Sequence, residues 1–86
     1  MVEGITMTNK TKCYNLAREH NLEIIIDMRN WYHEVNLPEG YQLSDYDDRT
    51  GLCMTLHFYS TKEQFYISLM KDLEEIISYK PWHKKD

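Results

Sequence analysis

Leu22–Leu37, LEIIIDMRNWYHEVNL, is the stretch whose reading decides the fold. A tight two-residue turn at Arg29–Asn30 sets Met28 opposite Trp31, Ile26 opposite His33, Ile24 opposite Val35 and Leu22 opposite Leu37. Three of those four pairs are wholly apolar, and all four share one face. The other face carries Glu23 opposite Asn36, Ile25 opposite Glu34 and Asp27 opposite Tyr32. One buried and one wet face in both arms is the pattern of an antiparallel hairpin covered on one side. Asn30 would take the positive φ that such a turn requires. A rival reading runs through the same residues. Tyr14, Ala17, Asn21, Ile24, Met28, Trp31 and Val35 recur at three- and four-residue steps, which would make one long helix followed by a hairpin and a C-terminal helix. The hairpin is preferred. Three consecutive isoleucines are β-branched, and Asn21 followed by Leu22 reads as a helix stop with Asn in the left-handed position.

Upstream of the hairpin, residues 1–7 read as a loose or edge-pairing arm anchored by Ile5 and Met7. Thr8 or Thr11 caps a first helix running to about His20, with Cys13, Leu16, Ala17 and His20 as its inner stripe. Downstream, Leu37-Pro38-Glu39-Gly40 is a turn with Pro second and Gly fourth. Residues 41–50, YQLSDYDDRT, read as an ordered acidic loop in which Tyr41 and Leu43 form at most a short strand. Gly51 opens a third strand, LCMTLHFYS, with Leu52, Met54, Leu56 and Phe58 inward and Cys53, Thr55, His57 and Tyr59 outward. Ser60 with Glu63 forms a capping box. Phe65, Tyr66, Leu69, Met70, Leu73, Ile76 and Ile77 then fill one arc of a second helix that ends before Pro81. The tail, residues 81–86, is expected to fray. The fold class is α+β: a three-stranded antiparallel sheet covered on one face by two helices, in the order α-β-β-β-α.

Eighty-six residues make one domain, 1–86, with a thin core that homodimerisation would thicken. Net charge is −4, which weighs against a nucleic-acid surface. Residues 19–75 hold 12 acidic and 4 basic side chains, and the remaining bases gather at the ends. Cys13 and Cys53 form no framework pattern and suggest reduced thiols in a cytosolic protein. The start, MVEGITM, has neither the basic region nor the apolar run of a signal peptide. No apolar stretch reaches membrane-spanning length.

Chemistry-bearing patterns are sparse. Cys53 and His57 lie four residues apart on a strand, about 13 Å, too far to close on one zinc ion. Cys13 and His20 are two helical turns apart, about 10.5 Å, with the same result. Asp45, Asp47 and Asp48 fail as a calcium loop, because the sixth and twelfth positions hold Thr50 and Leu56 instead of Gly and Glu. No Ser sits in a nucleophile elbow, and three glycines leave no phosphate-cradling loop. The expectation is a non-catalytic protein with no metal and no cofactor.

The helix–strand–strand–strand–helix order resembles that of the double-stranded-RNA-binding domain over most of the chain. That family grips phosphates with a lysine cluster at the start of its last helix. The matching stretch here, Ser60-Thr61-Lys62-Glu63-Gln64, has one lysine. The family's Gly-Pro-x-His loop between the first two strands is absent, since Arg29–Asn30 is too short. The residues that would bind RNA are therefore not carried over, and the topology alone does not license the function.

What remains is a surface. Ile25, Tyr32, His57 and Tyr59 share the open sheet face, and Asp45, Asp47 and Asp48 form an acidic docking loop. These seven are the candidate interface residues. The expected function is protein–protein interaction, as a cytoplasmic homodimer or a small accessory or inhibitor subunit of phage or mobile-element type. An atypical nucleic-acid-binding domain is the alternative.

Overall fold

A computed structural model of the chain describes residues 8–56 and 61–85. Two helices, α1 (Asn9–Glu19) and α2 (Lys62–Ser78), lie on one face of a sheet made by β1 (Glu23–Asp27), β2 (Tyr32–Asn36) and β4 (Gly51–Thr55). A separate two-stranded ribbon joins β3 (Tyr41–Gln42) to β5 (His83–Lys84). The order α-β-β-β-α of the main elements is the one read from the sequence. The rival long helix does not form.

α1 starts where Thr8 Oγ1 accepts the Thr11 amide at 3.2 Å. It stops in the manner that Asn21 and Leu22 foretell. Asn21 is left-handed at φ 60. Its amide returns to Arg18 O at 3.3 Å and that of Leu22 to Ala17 O at 2.8 Å, a Schellman closure. The buried stripe of α1 uses small residues, Cys13 and Ala17. This lets the helix approach α2 so closely that Cys13 Sγ donates to Tyr66 O at 3.4 Å.

The hairpin has the expected register, with Ile24 opposite Val35, Ile25 opposite Glu34 and Ile26 opposite His33. Its turn differs. Met28–Asn30 form one turn of 3-10 helix, capped by the Asp27 carboxylate, which accepts the amides of Arg29 and Asn30. The positive φ falls on Trp31, at 52, and not on Asn30. The Trp31 ring packs on Phe65 with centroids 5.8 Å apart, so tertiary contact stabilises a backbone position that a large side chain rarely takes.

Four other boundaries move. The turn after β2 spans Pro38–Tyr41, with Tyr41 N–H on Pro38 O at 3.2 Å and Gly40 at φ 90. The glycine is therefore third and not fourth. β4 ends at Thr55; Leu56 is half-buried and only its amide continues the ladder, to Trp31 O at 3.0 Å. Phe58 lies outside the described residues. The capping box of α2 belongs to Thr61 and Gln64, one residue later than Ser60 and Glu63. Finally, residues 81–85 are docked and not frayed. Trp82 Nε1 donates to Ile76 O at 2.9 Å, His83–Lys84 pair with Tyr41–Gln42, and Lys85 N–H reaches Gly40 O at 2.7 Å.

The core lies between helices and sheet. Phe65, Leu69, Leu73 and Ile76 of α2 are fully buried with Val35, Leu43 and Cys13, each large side chain stabilising by about 1.5–3 kcal/mol. The shortest principal extent is 17 Å, the depth of one helix layer on one sheet.

Candidate functional site

The sheet face away from the helices is uncovered among the described residues. It carries three cross-strand rows: Glu23–Asn36–Gly51, Ile25–Glu34–Cys53 and Asp27–Tyr32–Thr55. Gly51 has no freedom there, since a Cβ would sit 2.3 Å from Val35 O. Three carboxylates and no lysine or arginine stand on these nine positions. Ile25 lies among them at 41% exposure.

The polar centre of this face is wired along β2. Tyr32 Oη donates to Glu34 Oε1, and Asn36 Nδ2 donates to Glu34 Oε2 at 2.6 Å. The tyrosine bond, then the asparagine bond, hold the Glu34 carboxyl below the usual carboxylate range against a smaller opposing effect of burial. The same bond to Glu34, helped by burial and by the Glu34 charge, pushes the Tyr32 phenol up to about 12. Asp27 is also held low, chiefly by the Asn30 side-chain amide, which reaches its Oδ2 at 2.8 Å. The face therefore keeps its negative charge wherever ordinary carboxylates are ionised.

Of the residues expected to form an interface, Ile25 and Tyr32 share this face. His57 and Tyr59 lie outside the described residues. The acidic loop is divided. Asp47 is held by Arg49, through Nε at 3.0 Å and Nη2 at 2.8 Å, which lowers its carboxyl and raises the guanidinium. Asp45 pairs with His83 across the ribbon. Asp48 alone reaches the open face, where it lines a hollow of about 380 Å³ with Glu34, Asn36, Arg49 and Cys53. Tyr46, at 99% exposure, stands at the loop tip.

The sequence reading missed a polar string beneath the sheet. His33 is fully buried on β2. Its Nε2 lies 3.1 Å from Ser68 Oγ, and its Nδ1 lies 3.2 Å from Asp72 Oδ2. The latter pair is within ion-pair distance but off the line of a hydrogen bond. Ser68 and Asp72 are one turn apart on α2, and Phe65 meets the imidazole edge-on at 5.2 Å. Serine, histidine and aspartate stand here in the order of a hydrolytic relay. Their setting is different. Ser68 lies inside α2, where its own amide is spent on the helix ladder, and its hydroxyl donates to Met54 Sδ at 3.3 Å. One signal pointed here: His33 is the polar member of the inward hairpin set.

Two further placements bear on binding. Lys10 and Lys12 of α1 come beside Lys62 of α2 around a shallow hollow of about 720 Å³ at the N-termini of both helices, with Glu63 on its rim. Cys13 is sealed, and burial pushes its thiol up to about 11, whereas Cys53 is exposed. Among the described residues no group of three metal-ligating side chains converges, and no helix is long and apolar enough to cross a membrane.

The molecule is thus a two-layer α+β protein with one helix-covered and one open, acidic sheet face. No protein-family model, curated protein or solved structure matches the chain.

Proposed function

We propose that the protein acts by protein–protein contact, as a non-catalytic accessory or inhibitor subunit whose open sheet face docks a basic partner. The observation that carries this is charge. Glu23, Asp27 and Glu34 surround the apolar Ile25 with no cation among them, and hydrogen bonds keep two of the three ionised. An apolar spot ringed by fixed charge suits a protein surface of opposite sign. Two such faces would repel each other, so this face fits a different chain better than a second copy.

Capture from host extract on immobilised wild type, Ile25→Lys and Ile67→Lys tests the reading. Ile67 is exposed on the far side of α2 and serves as the control. A protein retained by wild type and Ile67→Lys but lost from Ile25→Lys supports the docking face. Retention that ignores Ile25→Lys, or no retained protein at all, overturns it.

The convergence of Lys10, Lys12 and Lys62 favours a second reading, the atypical nucleic-acid-binding domain. Phosphates would seat at the paired helix N-termini. Duplex RNA that binds with a steep loss in salt, and is released by Lys62→Ala, would support it. Binding that is absent at low salt removes it.

A further inference from the structure

Among the described residues, β4 is an end strand of the three-stranded sheet. Its ladder to β2 uses alternate backbone groups. Leu37 N–H donates to Thr50 O at 2.8 Å and Leu56 N–H to Trp31 O at 3.0 Å. In the register that pairs Tyr32 with Thr55 and Asn36 with Gly51, this sets the parity. Thr50, Leu52, Met54 and Leu56 turn their amides and carbonyls toward β2, and Gly51, Cys53 and Thr55 turn theirs outward.

Folded proteins commonly blunt such an edge with charge, proline or a bulge. β4, Gly-Leu-Cys-Met-Thr, has neither a charged side chain nor a proline. The opposite end strand, β1, is different. It is Glu-Ile-Ile-Ile-Asp, and two-fold pairing about Ile25 would set Glu23 against Asp27 of the other copy at both ends, like charge against like.

We infer that β4 is a two-fold seam, at which a second copy of this chain pairs its own β4 antiparallel about Cys53. Cys53 meets its counterpart on the axis, Leu52 meets Met54, and Gly51 meets Thr55. No like charges face each other. The outward groups of Gly51, Cys53 and Thr55 supply about six ladder hydrogen bonds across the axis. Met54, now 41% exposed on the helix side, gains Leu52 of the second copy as a neighbour. The result is a six-stranded sheet with all four helices on one side. Both acidic faces then lie on the other side, and the docking proposed above neither requires nor blocks this seam.

Sedimentation of the full chain across the micromolar range tests it. Cys53→Lys places two ammonium groups on the axis. Its side chain is exposed and stands across from Glu34, so the monomer keeps its fold. Thr55→Pro removes one outward amide and leaves the β2 ladder whole. Ile25→Lys alters the open face alone. Circular dichroism checks that each variant is folded. The expected result is a wild-type dimer, unchanged in Ile25→Lys and weakened about tenfold or more in the two β4 variants. A wild type that stays monomeric at hundreds of micromolar overturns the seam. So does dimerisation that is unchanged in folded Cys53→Lys and Thr55→Pro.

Discussion

Successive residues of β2 live in opposite settings. His33 and Val35 have no exposed surface, while Tyr32, Glu34 and Asn36 are half-buried on a face without cover. The difference shows in how each side satisfies its polar groups. On the open side, Tyr32, Glu34 and Asn36 bond to one another at two-residue steps along one strand. On the covered side no neighbour on the strand can serve His33, because the adjacent inward residue is Val35. Its polar neighbours come from another layer: Ser68 Oγ within hydrogen-bond distance, and Asp72 Oδ2 close to Nδ1 but off the hydrogen-bond line. Local wiring gives a rigid charged surface. Cross-layer wiring ties helix to sheet and makes the fit of α2 on β2 specific.

The largest contrast lies in packing. Leu73→Ala should lower unfolding free energy by about 2–5 kcal/mol, since Leu73 is fully buried in the core. Ile25→Ala, on the open face, should change it by about 0.5 kcal/mol or less. Urea denaturation measures both. Similar losses at the two sites would mean that the sheet is covered on both sides. Leu56 makes a poorer probe of the core than its place in the strand pattern suggests, because β4 has ended before it.

Next comes the polar string. Asp72→Ala removes the carboxylate that stands 3.2 Å from the buried His33 Nδ1, and should cost about 1–3 kcal/mol. Replacing the pair with apolar side chains, His33→Phe with Asp72→Leu, should cost less than the two single changes added together. Additive losses across that cycle would show that helix and sheet do not meet through these residues.

The covered face was legible because it repeats. Period-two alternation across Leu22–Leu37 yields the register, and the three–four spacing of Phe65 through Ile76 yields α2. What does not repeat was harder to read. Leu43 is fully buried, yet it sits in an acidic decapeptide whose strand, β3, is two residues long. β5 returns to that strand from the far end of the chain, and Trp82 beside it bonds Ile76 O of α2, which no local pattern encodes. The hairpin turn was misjudged because side chains settle it, Asp27 as cap and Trp31 against Phe65. The acidic triplet looked like one feature, but its pairing partners, Arg49 beside it and His83 far along the chain, divide it. His33 lies on β2 while Ser68, 35 residues on, and Asp72 lie on α2, so only the packing of α2 on β2 brings them together.

The removal of one cap separates local from tertiary control of the hairpin. Asp27→Ala deletes the acceptor for the Arg29 and Asn30 amides and should cost about 0.5–2 kcal/mol, as at other capped helix starts. The register should survive, because the inward pairs of β1 and β2 set it. Backbone chemical shifts that lose the Ile24–Val35 pairing in Asp27→Ala would show that the turn, and not the sheet face, dictates the hairpin.

The smallest effect in stability gives the sharpest test of the open face. Tyr32 should titrate at about 12, above its ordinary value of 10.0, because its ionisation would place a phenolate against the Glu34 carboxylate. Ultraviolet titration of wild type minus Tyr32→Phe isolates that one phenol. Glu34→Gln removes the charge and should bring it back toward the ordinary range, while Glu34→Ala removes the bond as well and should bring it closer still. The linkage has opposite signs for the two partners. Tyr32 has its folded pKa raised, so its contribution to stability is fully present below the unfolded value and is lost as pH rises toward about 12. Glu34 has its folded pKa lowered, so its contribution is present above the ordinary carboxylate range and is lost as pH falls through the folded value. Wild type should therefore lose stability more steeply than Tyr32→Phe at the alkaline end. A Tyr32 that titrates at the ordinary value in the folded protein would mean the Tyr32–Glu34–Asn36 chain does not persist in solution. The charge on the open face would then rest on mobile side chains, and the case for a face shaped to receive a partner would lose its support.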